Sequence, residues 1–160
     1  MGLDIYFNKR RFSDKVQTEV AYFRKVNSLV GWMERNVGEV ENCKDLRVSK
    51  DQLQDLLDDA RAVLRSIEGA PVIKKLVETG SRKNDETGQW ETIMQEAYDY
   101  DPEYTQVAME LLPPTVGFFF GNTSINKRYV EDVKDIIKQI KIILKKTDFN
   151  NEGIYFNCWW

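Results

Sequence analysis

An α+β fold, mainly α, is what this sequence predicts, with three long amphipathic helices packed on a small sheet. Three observations lead there. Apolar residues recur at helical spacing in three separate stretches. The two ends, Leu3–Phe7 and Ile154–Trp159, are rich in the aromatic and β-branched residues that favour strands. Between them, Val116-Gly117-Phe118-Phe119-Phe120 forms a short apolar run framed by Gly117 and Gly121, suited to a buried strand or a packed loop. The terminal strands and the Val116–Phe120 segment would make the sheet, with the two ends paired antiparallel, and residues 1–160 would form one domain.

The helices follow in order. The first is expected from about Ser13 or Thr18 to Val37, with Val20, Phe23, Val26, Val30, Met33 and Val37 on one stripe and Gly38 as its stop. The second has the clearest start in the chain. Ser49 and Gln52 have the spacing of a capping box, and Leu53, Leu56, Leu57, Ala60, Val63, Leu64 and Ile67 share a face that ends at Gly69. The third begins near Tyr129 and buries Val130, Val133, Ile136, Ile137, Ile140, Ile143 and Leu144. Asn122, Thr123, Ser124 and Asn126 all offer oxygens to cap it. Shorter pieces lie between. Val72–Glu78 reads as a brief helical segment, Gly80–Gly88 as a polar surface loop that could be a hairpin tip before Trp90, and Asp101-Pro102-Glu103 as a helix start.

Composition narrows the function classes. A chain of 160 residues, 42% hydrophobic and 31% charged, is globular and long enough to fold without metal or disulfide. There is no histidine, and the two cysteines, Cys43 and Cys158, lie far apart in sequence. Imidazole base chemistry, most catalytic triads and His-based metal sites are therefore excluded, and neither a metal site nor a cofactor is expected. Free thiols fit a cytoplasmic protein, and no secretory signal or membrane-spanning run is read. Net charge is −3, which provides no global attraction to nucleic acid or to anionic membranes.

Two polar constellations stand out. Arg24, Lys25 and Asn27 lie near Trp32, and a Trp beside cationic side chains is a recognition pairing as well as an ordinary core-and-face arrangement. Lys134, Lys138, Lys141 and Lys145 follow a spacing of four, three and four, either a solvated helix face or a track for nucleic acid. Phe119, Asn122 and Thr123, in the segment before the third helix, complete the candidate binding residues, and no catalytic residue is assigned.

Gly2-Leu3-Asp4-Ile5-Tyr6, Tyr22-Phe23-Arg24-Lys25-Val26-Asn27 with Trp32, Leu112-Pro113, and Gly117-Phe118-Phe119-Phe120-Gly121 resemble a family of small bacteriophage and prophage proteins. Val130-Glu131-Asp132-Val133-Lys134 extends the likeness over most of the chain. The resemblance implies an origin and a one-domain build, and no activity. Those relatives tend to carry His where this chain has Val30, so no histidine chemistry transfers. The leading expectation is a non-enzymatic accessory protein that binds a protein partner in the host cytoplasm. The alternatives are a small-ligand binder, with a nucleotide as one candidate, and an enzyme built on carboxylate, Tyr and Lys groups.

Overall fold

A computed structural model describes residues 2–117, 120, 121 and 123–160. Strand β1 (Asp4–Arg11) turns back into β2 (Gln17–Arg24), and helix α1 (Asn27–Asn36) follows. Short β3 (Leu46–Val48) leads into α2 (Lys50–Ile67), and a long hairpin comes next, β4 (Val72–Lys83) and β5 (Trp90–Tyr100). A 3-10 turn (Pro102–Tyr104), α3 (Gln106–Leu111), α4 (Lys127–Lys146) and β6 (Glu152–Trp159) complete the chain.

The expectation of a mainly α protein is corrected. Helix takes up 37% and strand 32%, in two antiparallel sheets. Two elements account for most of the difference. Residues 13–37 are not one helix but β2 and α1, because Ala21 and Phe23 face inward with Tyr22 outward between them, a period of two that coexists with the helical stripe. Pairing with β1 decides between the two periods: Ile5 lies opposite Phe23 and Phe7 opposite Ala21. Lys25 then adopts a left-handed φ of 57°, which breaks the strand, while its amide donates to Leu3 O at 2.7 Å. Residues 72–78 are not helical either, but half of a hairpin whose strands are joined by residues 84–89.

The sheet order is β2-β1-β6-β3, so the terminal strands are its two central members, antiparallel, with Phe7 opposite Phe156. The expected contribution of Val116–Phe120 is corrected too. Val116 is 85% exposed, and Phe120 donates its amide to Gly117 O in a turn, so the described part of this segment is loop. Phe118 lies outside the described residues. Phe120 stays buried, with its ring set edge-on to Trp160 at 5.2 Å.

Side-chain alternation puts Ile5, Phe7, Ala21, Phe23, Ile154, Phe156 and Cys158 on one sheet face, all buried. Phe7 meets Phe23 and Phe156 edge-to-face at 6.1 and 5.5 Å. Leu53, Leu56, Ala60 and Val63 of α2 and Val133, Ile136, Ile140 and Ile143 of α4 join the same core. The capping box of α2 forms as the sequence indicates: the Gln52 amide donates to Ser49 Oγ, and the Ser49 amide to Gln52 Oε1. Asn126 caps α4 by accepting from the Tyr129 amide.

Removing Ile154–Trp160 takes out a central strand together with fully buried Phe156 and Ile154. The truncated chain should lose its cooperative unfolding transition in urea. A transition at the full-length midpoint would contradict the placement of β6.

Candidate functional site

The structure separates the candidate residues. Arg24 ends β2 and pairs with Asp4, Nη1 to Oδ1 at 3.1 Å, and the same oxygen accepts from the Tyr22 hydroxyl at 2.6 Å. That hydrogen bond pushes the Tyr22 phenol up, with Arg24 opposing it. Trp32 is fully buried and donates from Nε1 to Asp59 Oδ2 at 2.8 Å, so its ring belongs to the core and is closed to a ligand. Thr123 is exposed beneath the β4–β5 hairpin. Phe119 and Asn122 lie outside the described residues.

Lys25 and Asn27 do converge, in a polar cavity of about 280 Å³ between the first turns of α1 and α4. The stem of Lys25 runs between Gly2 and Gly121. A Cβ on Gly2 would sit 3.0 Å from Lys25 Cε, tighter than nearly all real contacts. Asn27 is buried and staples the neighbouring loop: its Nδ2 donates to Phe120 O at 3.2 Å, and its Oδ1 accepts from Thr115 N at 3.0 Å. Ser28, Ser124, Arg128 and Asp132 complete the polar wall. The first turns of α1 and α4, where the helix-end amides carry partial positive charge, line this space. Lys25 and Arg128 add full charges and form no ion pair with a described residue. Against them stands Asp132, whose carboxyl is pushed up to about 6 by burial and by its neighbours Asp135 and Glu131, while Arg128 pulls it down. The cavity can receive an anionic group on its cationic side and a hydroxyl or amine at Asp132.

The lysines of α4 form an exposed row, as its outer-face spacing requires. Lys134, Lys138, Lys141 and Lys145 flank a shallow groove floored by Ile137 and Ile142, with Lys134 paired to Glu131 at 3.2 Å.

The sequence allows a hairpin tip before Trp90 but not the extent of the hairpin, whose first strand reads as helical over residues 72–78. Twelve residues at roughly 3.3 Å each make β4 about 40 Å long. It is rooted on the body by the amide hydrogen bond from Tyr100 to Ile125 O, and its base is closed by the one from Asp101 to Pro71 O, both 3.0 Å. At the same end Lys75 Nζ lies 2.5 Å from Oδ2 of buried Asp99. Pairing sets its faces: Val72 opposes Tyr100, Lys74 opposes Tyr98, Leu76 opposes Glu96 and Glu78 opposes Met94, all on one side. Beyond a bulge at Thr79, Lys83 opposes Trp90 on that same side. Trp90 is 72% exposed, Leu76 65%, Tyr98 61% and Met94 50%. The signal was present in the alternation Trp90, Thr92, Met94, Glu96, Tyr98, Tyr100, which has a period of two.

Among the described residues no helix is long and apolar enough to cross a membrane, and no group of His, Cys, Asp and Glu could hold a metal ion. No family model, curated protein or solved structure matches this chain.

Asp132 gives the cavity a pH signature. A carboxyl near pKa 6 when folded, against about 3.9 when unfolded, stabilises the fold while protonated. That contribution is complete below about pH 4 and is lost as pH rises through about 6. Urea midpoints should therefore fall over this window for the native chain, and Asp132→Asn should flatten that part of the profile.

Proposed function

We propose that this chain is a protein-binding module whose docking element is the apolar face of the β4–β5 arm. The observation that carries it is the row of Trp90, Leu76, Tyr98 and Met94, exposed on one side of an arm that the body does not cover. Large exposed apolar faces mark interaction sites, and Trp, Tyr and Met are the residues enriched at interface centres. A two-stranded hairpin is marginal on its own, so a surface that covers this one also stabilises it. Residues 72–100 carry six carboxylates and four cations, which favours a partner with an apolar groove and a basic rim. The likeness of its motifs to small bacteriophage and prophage proteins supports a partner in a bacterial host cytoplasm.

The test compares the full chain with a Trp90→Ser, Tyr98→Ser variant, both immobilised in a bacterial lysate. A protein retained by the native chain should be lost by the variant. With the purified partner, affinity should drop on the order of 30-fold or more, the effect of losing a central aromatic anchor. The melting temperature should not change, because both side chains are exposed. Identical retention by both chains would rule out this face.

A second reading is favoured by Lys25 and Arg128, two cations at the α1–α4 cavity with no ion pair within 4 Å among the described residues: a small ligand with an anionic group binds there. Inorganic phosphate should raise the melting temperature of the native chain and not that of Arg128→Gln. Equal shifts in both would remove Arg128 from any such site.

A further inference from the structure

The arm has a second free surface, its backbone edge. Among the described residues β4 and β5 pair as strands only with each other, so each has an outer edge that no further strand covers, although at the root of β5 the Tyr100 amide donates to Ile125 O. Such an edge is a template for another strand. The charges on the two edges differ. β5 carries Glu91, Glu96 and Asp99 and no cation, so pairing it with itself would gather like charges. β4 carries both signs, with Lys74 and Glu78 two residues either side of Leu76.

We propose that β4 pairs antiparallel with β4 of a second copy about a two-fold axis at Leu76, joining two hairpins into one four-stranded sheet. In this register Lys74 of each copy stands opposite Glu78 of the other and Lys75 opposite Val77, all on the root side of the bulge at Thr79. The neighbouring registers fail. An axis at Lys75 sets that lysine against itself and Val72 against Glu78. An axis at Lys74 again opposes like charges, and one at Val77 sets Leu76 against Glu78. Axes between residues would put the two apolar rows on opposite faces of the sheet. Of these four registers only the one at Leu76 forms two opposite-charge pairs and also keeps both apolar rows on one side. The two Pro71 residues then lie ten residues of strand apart, about 33 Å. The interface is isologous and closes on itself, whereas β4 against β5 of another copy would propagate into a fibre. The joined sheet presents two apolar rows side by side, a surface able to bind a partner bivalently. Trp90 and Tyr98 lie off the β4 edge, on β5, so this pairing does not depend on what the apolar face binds.

Sedimentation of the full-length chain tests the proposal. The native protein should show a concentration-dependent monomer–dimer equilibrium, and Trp90→Ser, Tyr98→Ser should leave it intact. Glu78→Lys alone should shift it to monomer, since Lys then faces Lys at both pairs. Lys74→Glu alone should do the same. Because Lys74 also pairs with Glu96 within the arm at 2.5 Å, its melting temperature is measured alongside, and Glu78→Lys carries the result if that variant unfolds. The double variant should recover the dimer, and an equimolar mixture of the two single variants should form heterodimers. A monomeric native chain, or a dimer indifferent to Glu78→Lys, would overturn the proposal. Loss of the dimer in the Trp90, Tyr98 variant would place the two-fold contact on the apolar face instead.

Discussion

The antiparallel pairing of β1 with β6 is the constraint on which the rest of the structure depends. It brings residues near 5 against residues near 158, so almost the whole chain lies inside the loop it closes. Closing so long a loop costs entropy before any contact rewards it. The return is a buried strip in which Phe7, Phe156 and Phe23 interlock edge to face, with Ile5, Ile154 and Cys158 beside them. α2 and α4 supply the opposing wall, each through a single apolar stripe. Burial on this face pushes the Cys158 thiol up to about 12, which keeps it an inert apolar group.

The arm is built on different physics. Its residues are mostly exposed, and its ladder is held by cross-strand pairs such as Lys74–Glu96 and Lys75–Asp99 rather than by a core. Asp99 is the costly member. It is buried, one oxygen takes Lys75, and the other has no hydrogen-bond partner among the described residues. Burying a carboxylate at the root while leaving Trp90 and Leu76 in water is the reverse of what an isolated fold favours. That inversion supports reading the arm as a surface meant to be covered, whether by a partner, by a second copy, or by both at different sites.

Legibility followed how local the deciding interaction was. The capping box at Ser49–Gln52 and the stripe from Val133 to Ile143 depend on residues three and four apart, and both form where the sequence puts them. The segment from Ser13 to Val37 carries two periods at once, and only β1, lying beside it, selects strand before Lys25 and helix after it. Asn27 kept a candidate role but turned out to hold the loop at Thr115 and Phe120, a task visible only once those backbone groups are near. Trp32 looked like a recognition residue beside basic neighbours, yet its partner is Asp59, twenty-seven positions away.

By itself the sequence determined the two long helices, the strand character of both ends and the lack of any imidazole for catalysis, because each follows from residue type or short-range spacing. Tertiary structure decided that 72–100 is an extended arm, that Val116–Phe120 adds no strand, and which side chains stay in water. Strand identity depends on finding a partner, and exposure depends on everything else that packs nearby. Neither quantity is written within three or four residues of the position it governs.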